Sequence, residues 1–399
     1  MKKNYLLLGI CAMGLASLTT SCSSDSDGIS EEEAQNTQYT AQNKDAWGNY
    51  AANVALLLKQ DATKLYNTWN DEFAVAFKTH AAGSGYQSSA DCIDQMIDGM
   101  VDIANEVGGS KIGEPYNYWV SGQQNKAVYA VESWYSWHSR DDYKNNILSI
   151  AHSFAGQRIT GNPSEYNYVD SLAAGSLTEN SILAYCYSNS TLKAKGQTVW
   201  ENIGKAWSAI DAIPQPFRNN IGSAESEAAM KACEDLTKSL ESLKTDLHNS
   251  FNNSDRKASE IVGQFVDVVV MPTYKDLVDN NTNLYNAVLK LQANPTNTTF
   301  ANACEAWLAA RMPWETSEAF LFGPVSQLGL DPNMDSWPLD AVGIYNLLKS
   351  QKWNEMNWSG EFDEDNEAIG AAQSLRGFHT LEFLLFQNGK PRTVDSVNK

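Results

Sequence analysis

Apolar residues recur at three- and four-residue spacing along most of the chain, and that period constrains the fold more than any other feature. The stretch "WGNYAANVALLLKQDATKLYNTWNDEF", which begins at Trp47, is a long example. The same pattern returns over 88–107, 124–156, 196–213, 224–252, 256–292, 298–322, 339–356 and 366–386. Residues so spaced lie on one stripe of an α-helix, and that stripe must be buried against a neighbour. Between the segments stand "GGSKIGEP", "ITGNPSEYN", "AIPQPF", "QANPTNTT" and "GLDPNMDSWP", rich in the Gly, Pro and Asn that interrupt helices. Alternation of period two is scarce. "VGQFVDVVVMP" has the β-branched residues of a strand, but the helical stripe runs through it. The pattern predicts an all-α protein of antiparallel helical bundles, and 399 residues suffice for two domains.

The N-terminus carries an address. Lys2 and Lys3 precede an apolar run from 5 to 18, and small residues then lead to Cys22. A basic start, a short apolar run and a small-residue cleavage point make a secretory signal, and the run is too short to span a bilayer. Cys22 directly after the small residues resembles a bacterial lipobox, with Cys22 as the lipidated N-terminus of the mature chain. Residues 23–42 are polar and read as a flexible tether. The expected location is the cell envelope, as an outer-membrane lipoprotein that meets the membrane through its lipid alone. A formal net charge of -19 repels nucleic acid and suits cationic or neutral ligands. Cys92, Cys186, Cys233 and Cys304 are far apart and show no zinc-knuckle spacing. Disulfides and buried thiols both remain open for them.

Three segments could carry chemistry. In "LRGFHTLEFLLF", His379 and Glu382 are three apart on a helix and so point the same way, amid apolar neighbours. They can supply two metal ligands or form a hydrogen-bonded pair. In "ARMPWETSEAFLFGP", Glu315 and Glu318 share a face beside Ser317, and Pro313 interrupts the backbone bonding. In "ESWYSWHSRDDYKNN", Ser136, Ser139 and Asp142 step by three along what reads as one helix, with His138 off that face. If the helices bearing the two acids and the His–Glu pair face each other, their side chains converge as in carboxylate metal sites of bundles. No zincin H-E-x-x-H, P-loop, GxGxxG or Ser nucleophile elbow occurs.

These residues also resemble a known family. "GFHTLEFLL" is similar to the G-x-H-x-x-E motif of the imelysin-like proteins, with Gly377, His379 and Glu382 at its fixed positions. "AWLAARMPWETSEAFLFGP" and "DSWPLD" resemble the motifs that accompany it. "AVESWYSWHSRDDYKNN" and "AIPQPF" resemble segments that follow G-x-H-x-x-E in most members, but here they precede it, and Arg140 stands where the family suggests histidine. The resemblance implies a circularly permuted order of halves: a first bundle at 43–255 and a second, with the motif, at 256–399. It implies two four-helix bundles packed side by side with a site between them. It also implies a link to iron uptake, with iron or another divalent metal, or a metal-bearing small ligand, as the bound species and other envelope iron-uptake components as partners. His379, Glu382, Glu315 and Glu318 are the expected metal ligands. Arg311, Trp314, Ser317, Asp340, Gly377, Ser136, Ser139 and Asp142 are the expected supporting residues. The family's peptidase label leaves a metallopeptidase using His379 and Glu382 as the alternative. A hydrolytic zinc site usually has three protein ligands, however, and the motif offers a single histidine.

Overall fold

The computed structural model describes residues 28–175, 177–251 and 256–395, so the signal segment and Cys22 lie outside the described residues. Helices dominate, and the described strands are two short pieces, Phe386–Gln387 and Lys390–Pro391, paired antiparallel around Asn388 and Gly389. Both turn residues have positive φ, as a two-residue hairpin requires.

Two groups of four helices form. In one, Ser89–Glu106, Ser139–Ala155, Lys193–Asp211 and Ala224–Ser250 close a ring. In the other, Lys44–Thr68 packs on Met271–Ala293, which packs on Asn297–Glu315. Phe378–Leu385 then closes that ring against Asn297–Glu315 and Lys44–Thr68. Several starts are capped as their sequences suggest. Ser88 and Ser223 accept from backbone N–H groups of the first turn, and Thr296 forms a reciprocal box with Thr299. The strand-like "FVDVVV" is helical, a π-turn at Phe265–Val270 leading into Met271–Ala293. Cys92, Cys186, Cys233 and Cys304 are buried free thiols.

Packing corrects the expected boundaries. The Lys44–Thr68 helix belongs with the C-terminal group, not with a 43–255 unit. Its apolar face explains why: Trp47 stacks on Phe383 with centroids 5.7 Å apart, and its Nε1 donates to the Leu384 carbonyl at 2.8 Å. Tyr50 Oη donates to the Leu375 carbonyl at 2.7 Å, and Asp61 pairs with Arg376. Nor are the described residues of the 23–42 segment a loose tether. Ser30 caps a short helix, Glu31–Gln35, Ala34 is buried, and Tyr39 packs edge-on against Trp47 and Phe300. The polar composition hid two anchoring side chains. The 124–156 stripe is likewise not one helix. It breaks into Gln124–Tyr129, a run of turns, and Ser139–Ala155. Ser133 and Trp137 in those turns have positive φ, which a continuous helix cannot accommodate.

Candidate functional site

Where the two rings meet, the end of the Asn297–Glu315 helix and the short Glu318–Phe320 turn touch Ser139–Ala155 and Ser89–Glu106. The polar centre lies there. Pro313 stands in the last turn of the Asn297–Glu315 helix, which ends two residues later. Glu318 therefore follows on a separate turn rather than on the same helix. Ser149 Oγ holds that turn by accepting from the Ala319 N–H at 3.0 Å.

The Phe378–Leu385 helix is started by Gly377, whose φ of 97° is strained for any residue with a Cβ. A Cβ there would also lie 2.6 Å from the Met334 carbonyl oxygen. Gly377 thus positions backbone at the start of the helix. Its helix buries His379 and Glu382 completely. The imidazole sits between carboxylates: Nδ1 is 3.1 Å from Glu382 Oε2, and Nε2 is 3.0 Å from Asp335 Oδ1 and 3.4 Å from Glu132 Oε1. Trp337 packs edge-on against the ring at 4.8 Å. Burial and the charge of Arg311 disfavour the imidazolium, but Asp335 and Glu132 outweigh them and hold His379 protonated well above the usual histidine range. Glu382 Oε1 accepts from the Ser136 backbone N–H at 2.7 Å.

Arg311 is fully buried at the middle. Its Nη2 donates to Glu132 Oε1 at 2.7 Å and pairs with Glu315 Oε1 at 2.6 Å, and its Nη1 donates to Asp335. Asp335 also accepts from Trp314 Nε1 at 2.7 Å, and Glu315 accepts from Asn146 Nδ2 at 2.6 Å. Lys111 reaches Glu132 at 3.1 Å and Glu318 at 3.9 Å. Six carboxyl side chains, Glu132, Asp142, Glu315, Glu318, Asp335 and Glu382, are at most 7% exposed. Three cationic side chains, Lys111, Arg311 and His379, are at most 8% exposed. The acids outnumber the bases, and protons absorb the excess. Burial pushes Glu315 up to about 8 and Asp142 to about 7, and lifts Glu318 well above the carboxylate range. Burial alone would raise Glu132 too, but Lys111 and the His379 hydrogen bond hold it down to about 2. Arg311 and His379 likewise hold Asp335 well below its ordinary value against the cost of burial.

The expected residues sort as follows. His379, Glu382, Glu315, Glu318, Arg311, Trp314 and Asp142 all line the centre. The four expected ligands do not form one set. Glu315, Glu318 and Asp335 present oxygens within 4.8 Å of one another, and Glu132, Asp335 and His379 form a second such trio sharing Asp335. Ser317 is buried, but its Oγ donates to the Trp314 carbonyl at 2.6 Å and so fixes the turn. Ser136 precedes the helix and contributes its backbone N–H, and Ser139 Oγ donates to the Glu132 carbonyl at 2.5 Å. The expected single face of Ser136, Ser139 and Asp142 is thus replaced by a turn that folds over Glu382. Asp340 is exposed and caps Ala341–Ser350 by accepting from the Gly343 N–H at 2.8 Å, so it is no part of the site. Arg140 faces away, donating to the Asp211 and Ile213 carbonyls. Glu132, Asp335 and Lys111 were not singled out from the sequence, although "AVESW", "DSWPLD" and "GGSKIGEP" contain them.

Carboxylates with one imidazole form a hard donor set suited to iron, manganese or zinc. Asp142 Oδ1, buried and without a hydrogen-bond partner among the described residues, is a further oxygen open to a cation. A second group, Asp91, Asp94 and His248, lies half-buried between the Ser89–Glu106 and Ala224–Ser250 helices.

Fold and centre define a class: an all-α protein of paired helical bundles with a buried histidine–carboxylate–arginine core on a G-x-H-x-x-E helix. The chain belongs to the imelysin family, also named peptidase M75, whose pattern matches residues 24–243 and 270–397. Over 137 residues it is 35% identical to iron-regulated protein A of Synechococcus elongatus, a match covering 34% of this chain. The chain spans about a third of the length of that curated relative (34%). It is also similar to the crystal structure of an imelysin peptidase from Bacteroides ovatus, 47% identical with a TM-score of 0.82, over 90% of this chain and 99% of that one.

Proposed function

We propose that this chain is a lipid-anchored protein of the cell envelope with a role in iron or other metal uptake. Its buried centre then holds a divalent cation or a metal-bearing ligand. The observation that carries this reading is the excess of buried carboxyl groups over buried bases, concentrated where Glu315, Glu318 and Asp335 converge. A buried carboxyl group needs a proton or a counter-cation, and a cation bound by oxygen donors would take the place of the protons. Glu315, Glu318 and Asp335 would hold it, with Asp142 near by, and Trp314 and His379 keep Asp335 in place. The likeness to iron-regulated protein A supports iron as the metal, and the acidic chain suits a cation. The lipobox-like Cys22 supports the anchor. A circular permutation of the two halves is the accompanying proposal for the order of the motifs.

The reading is tested by elemental analysis of protein purified from its native membrane. About one equivalent of metal per chain is expected, lost in Glu315→Gln/Glu318→Gln. A metal-free wild type that also takes up no added iron would overturn it. The peptidase alternative draws on the Glu132–Asp335–His379 trio, which has the ligand number of a hydrolytic zinc site. Against it, His379, Glu382, Glu315 and Arg311 are all 0% exposed, so a peptide bond has no path to them in this conformation. Chelator-sensitive cleavage that disappears in His379→Ala would reverse that ranking.

A further inference from the structure

We infer that Arg311 is the resident cation of the Glu132–Asp335–His379 trio and that it excludes divalent metal from that trio. The three ligand atoms lie within 4.8 Å of one another, a spacing that a single ion could bridge. The guanidinium already bridges it. Its Nη2 is 2.7 Å from Glu132 Oε1 and 3.4 Å from His379 Nε2, and its Nη1 donates to Asp335 Oδ1. A metal bonding these atoms at about 2.0–2.2 Å would have to take the place of those two nitrogens.

Arg311 cannot easily yield. It never loses its charge at any pH the protein meets, so it cannot be neutralised in place as a lysine can. It is 0% exposed, and Glu315, four residues on along the same helix, holds Nη2 at 2.6 Å. Moving it aside would strand a buried cation away from its carboxylates, which is strongly unfavourable. His379 adds to the exclusion. Both ring nitrogens already lie within 3.1 Å of carboxylate oxygens, so a metal at His379 would have to break one of those contacts as well as displace the guanidinium. The H-x-x-E motif that suggests a metallopeptidase is thus wired as an ion-pair network with a built-in cation. Arg311 thus supplies the trio holding His379 with a cation of its own, while Glu318 of the other trio has no contact with the guanidinium among those described.

The inference rests on the proposed cation reading only for its choice of ligand. The test is a cobalt(II) titration of the full mature chain, followed by calorimetry and visible absorption, for wild type, Arg311→Met and Arg311→Met/His379→Ala. Arg311→Met is expected to bind one more cobalt per chain than wild type, at least tenfold more tightly than any binding wild type shows at that trio. The gain should vanish in the double variant. If Arg311→Met folds, as judged by helical circular dichroism, and gains no cobalt, the inference is overturned. If it does not fold, nitrogen NMR of the His379 ring in wild type under saturating diamagnetic zinc(II) decides. Ring nitrogens with no bond to zinc uphold exclusion, and a ring nitrogen bonded to zinc overturns it. A wild type without cobalt together with a gain in Arg311→Met would sink the proposed function while leaving this inference standing.

Discussion

His379→Ala should cost about 4 kcal/mol of folding stability near pH 6, from three sources. Truncating a buried ring leaves a cavity, which costs about 2–5 kcal/mol for large-to-alanine changes. Glu382 Oε2 loses the donor 3.1 Å away, while Oε1 keeps the Ser136 N–H, so one buried oxygen is left short at about 1–3 kcal/mol. Asp335 also loses a donor but keeps Arg311 and Trp314, which limits the damage there. The centre can take up a proton in compensation, and this holds the total to roughly the 3–5 kcal/mol seen when a buried ion pair is broken. The pH dependence separates this account from simple loss of packing. His379 has its folded pKa raised above the unfolded value near 6.5. Its electrostatic contribution is therefore full below about pH 6.5 and declines as pH rises toward the folded pKa, by up to about 1.4 kcal/mol per unit. Urea denaturation of wild type and His379→Ala at pH 6, 7 and 8 should show the gap between them narrowing. A gap that stays constant or widens with pH would mean that His379 is neutral in the fold, and the imidazolium network would be wrong.

Glu315→Gln should flatten the fall of stability between about pH 5 and 8. The raised carboxyl stabilises fully below its unfolded pKa and loses that contribution as pH climbs through about 8, whereas glutamine does not titrate; thermal melts across that range check it. Gly377→Ala should destabilise by more than about 1 kcal/mol, because alanine meets both the positive φ and the Met334 carbonyl. Its denaturation midpoint is the readout. Asp340→Ala should cost about 0.5–2 kcal/mol through the lost cap yet leave metal content at the wild-type level, since Asp340 stands outside the centre.

The period of the apolar residues made the helices and their bundling legible, and G-x-H-x-x-E marked the helix that carries the site. What stayed hidden has physical causes. Helical spacing says which residues share a face only while the helix continues, and between Ala130 and His138 it does not. Glu132 therefore looked like one more acid beside aromatics, although it accepts from Arg311 and lies within 3.4 Å of His379. In "DSWPLD" the two aspartates are equivalent by composition. A tertiary contact with Trp314 and Arg311 selects Asp335 for the centre, and the helix start selects Asp340 for capping. Lys111 sits among glycines that read as a loop, but the segment is a π-turn, Val107–Ile112, which points the ammonium inward. Tyr39 shows the same limit at the N-terminal end: one aromatic in a polar run is enough to dock it.

The central claim is that the Glu315–Glu318–Asp335 side of the centre holds the metal. Anomalous scattering at the iron edge, from crystals grown anaerobically with iron(II), tests it most directly. The account predicts one peak bonded to carboxylate oxygens of Glu315, Glu318 and Asp335, with the Arg311 guanidinium still seated between Glu132 and Asp335. A peak bonded to His379 with Arg311 displaced, or no peak at the centre at all, would contradict it.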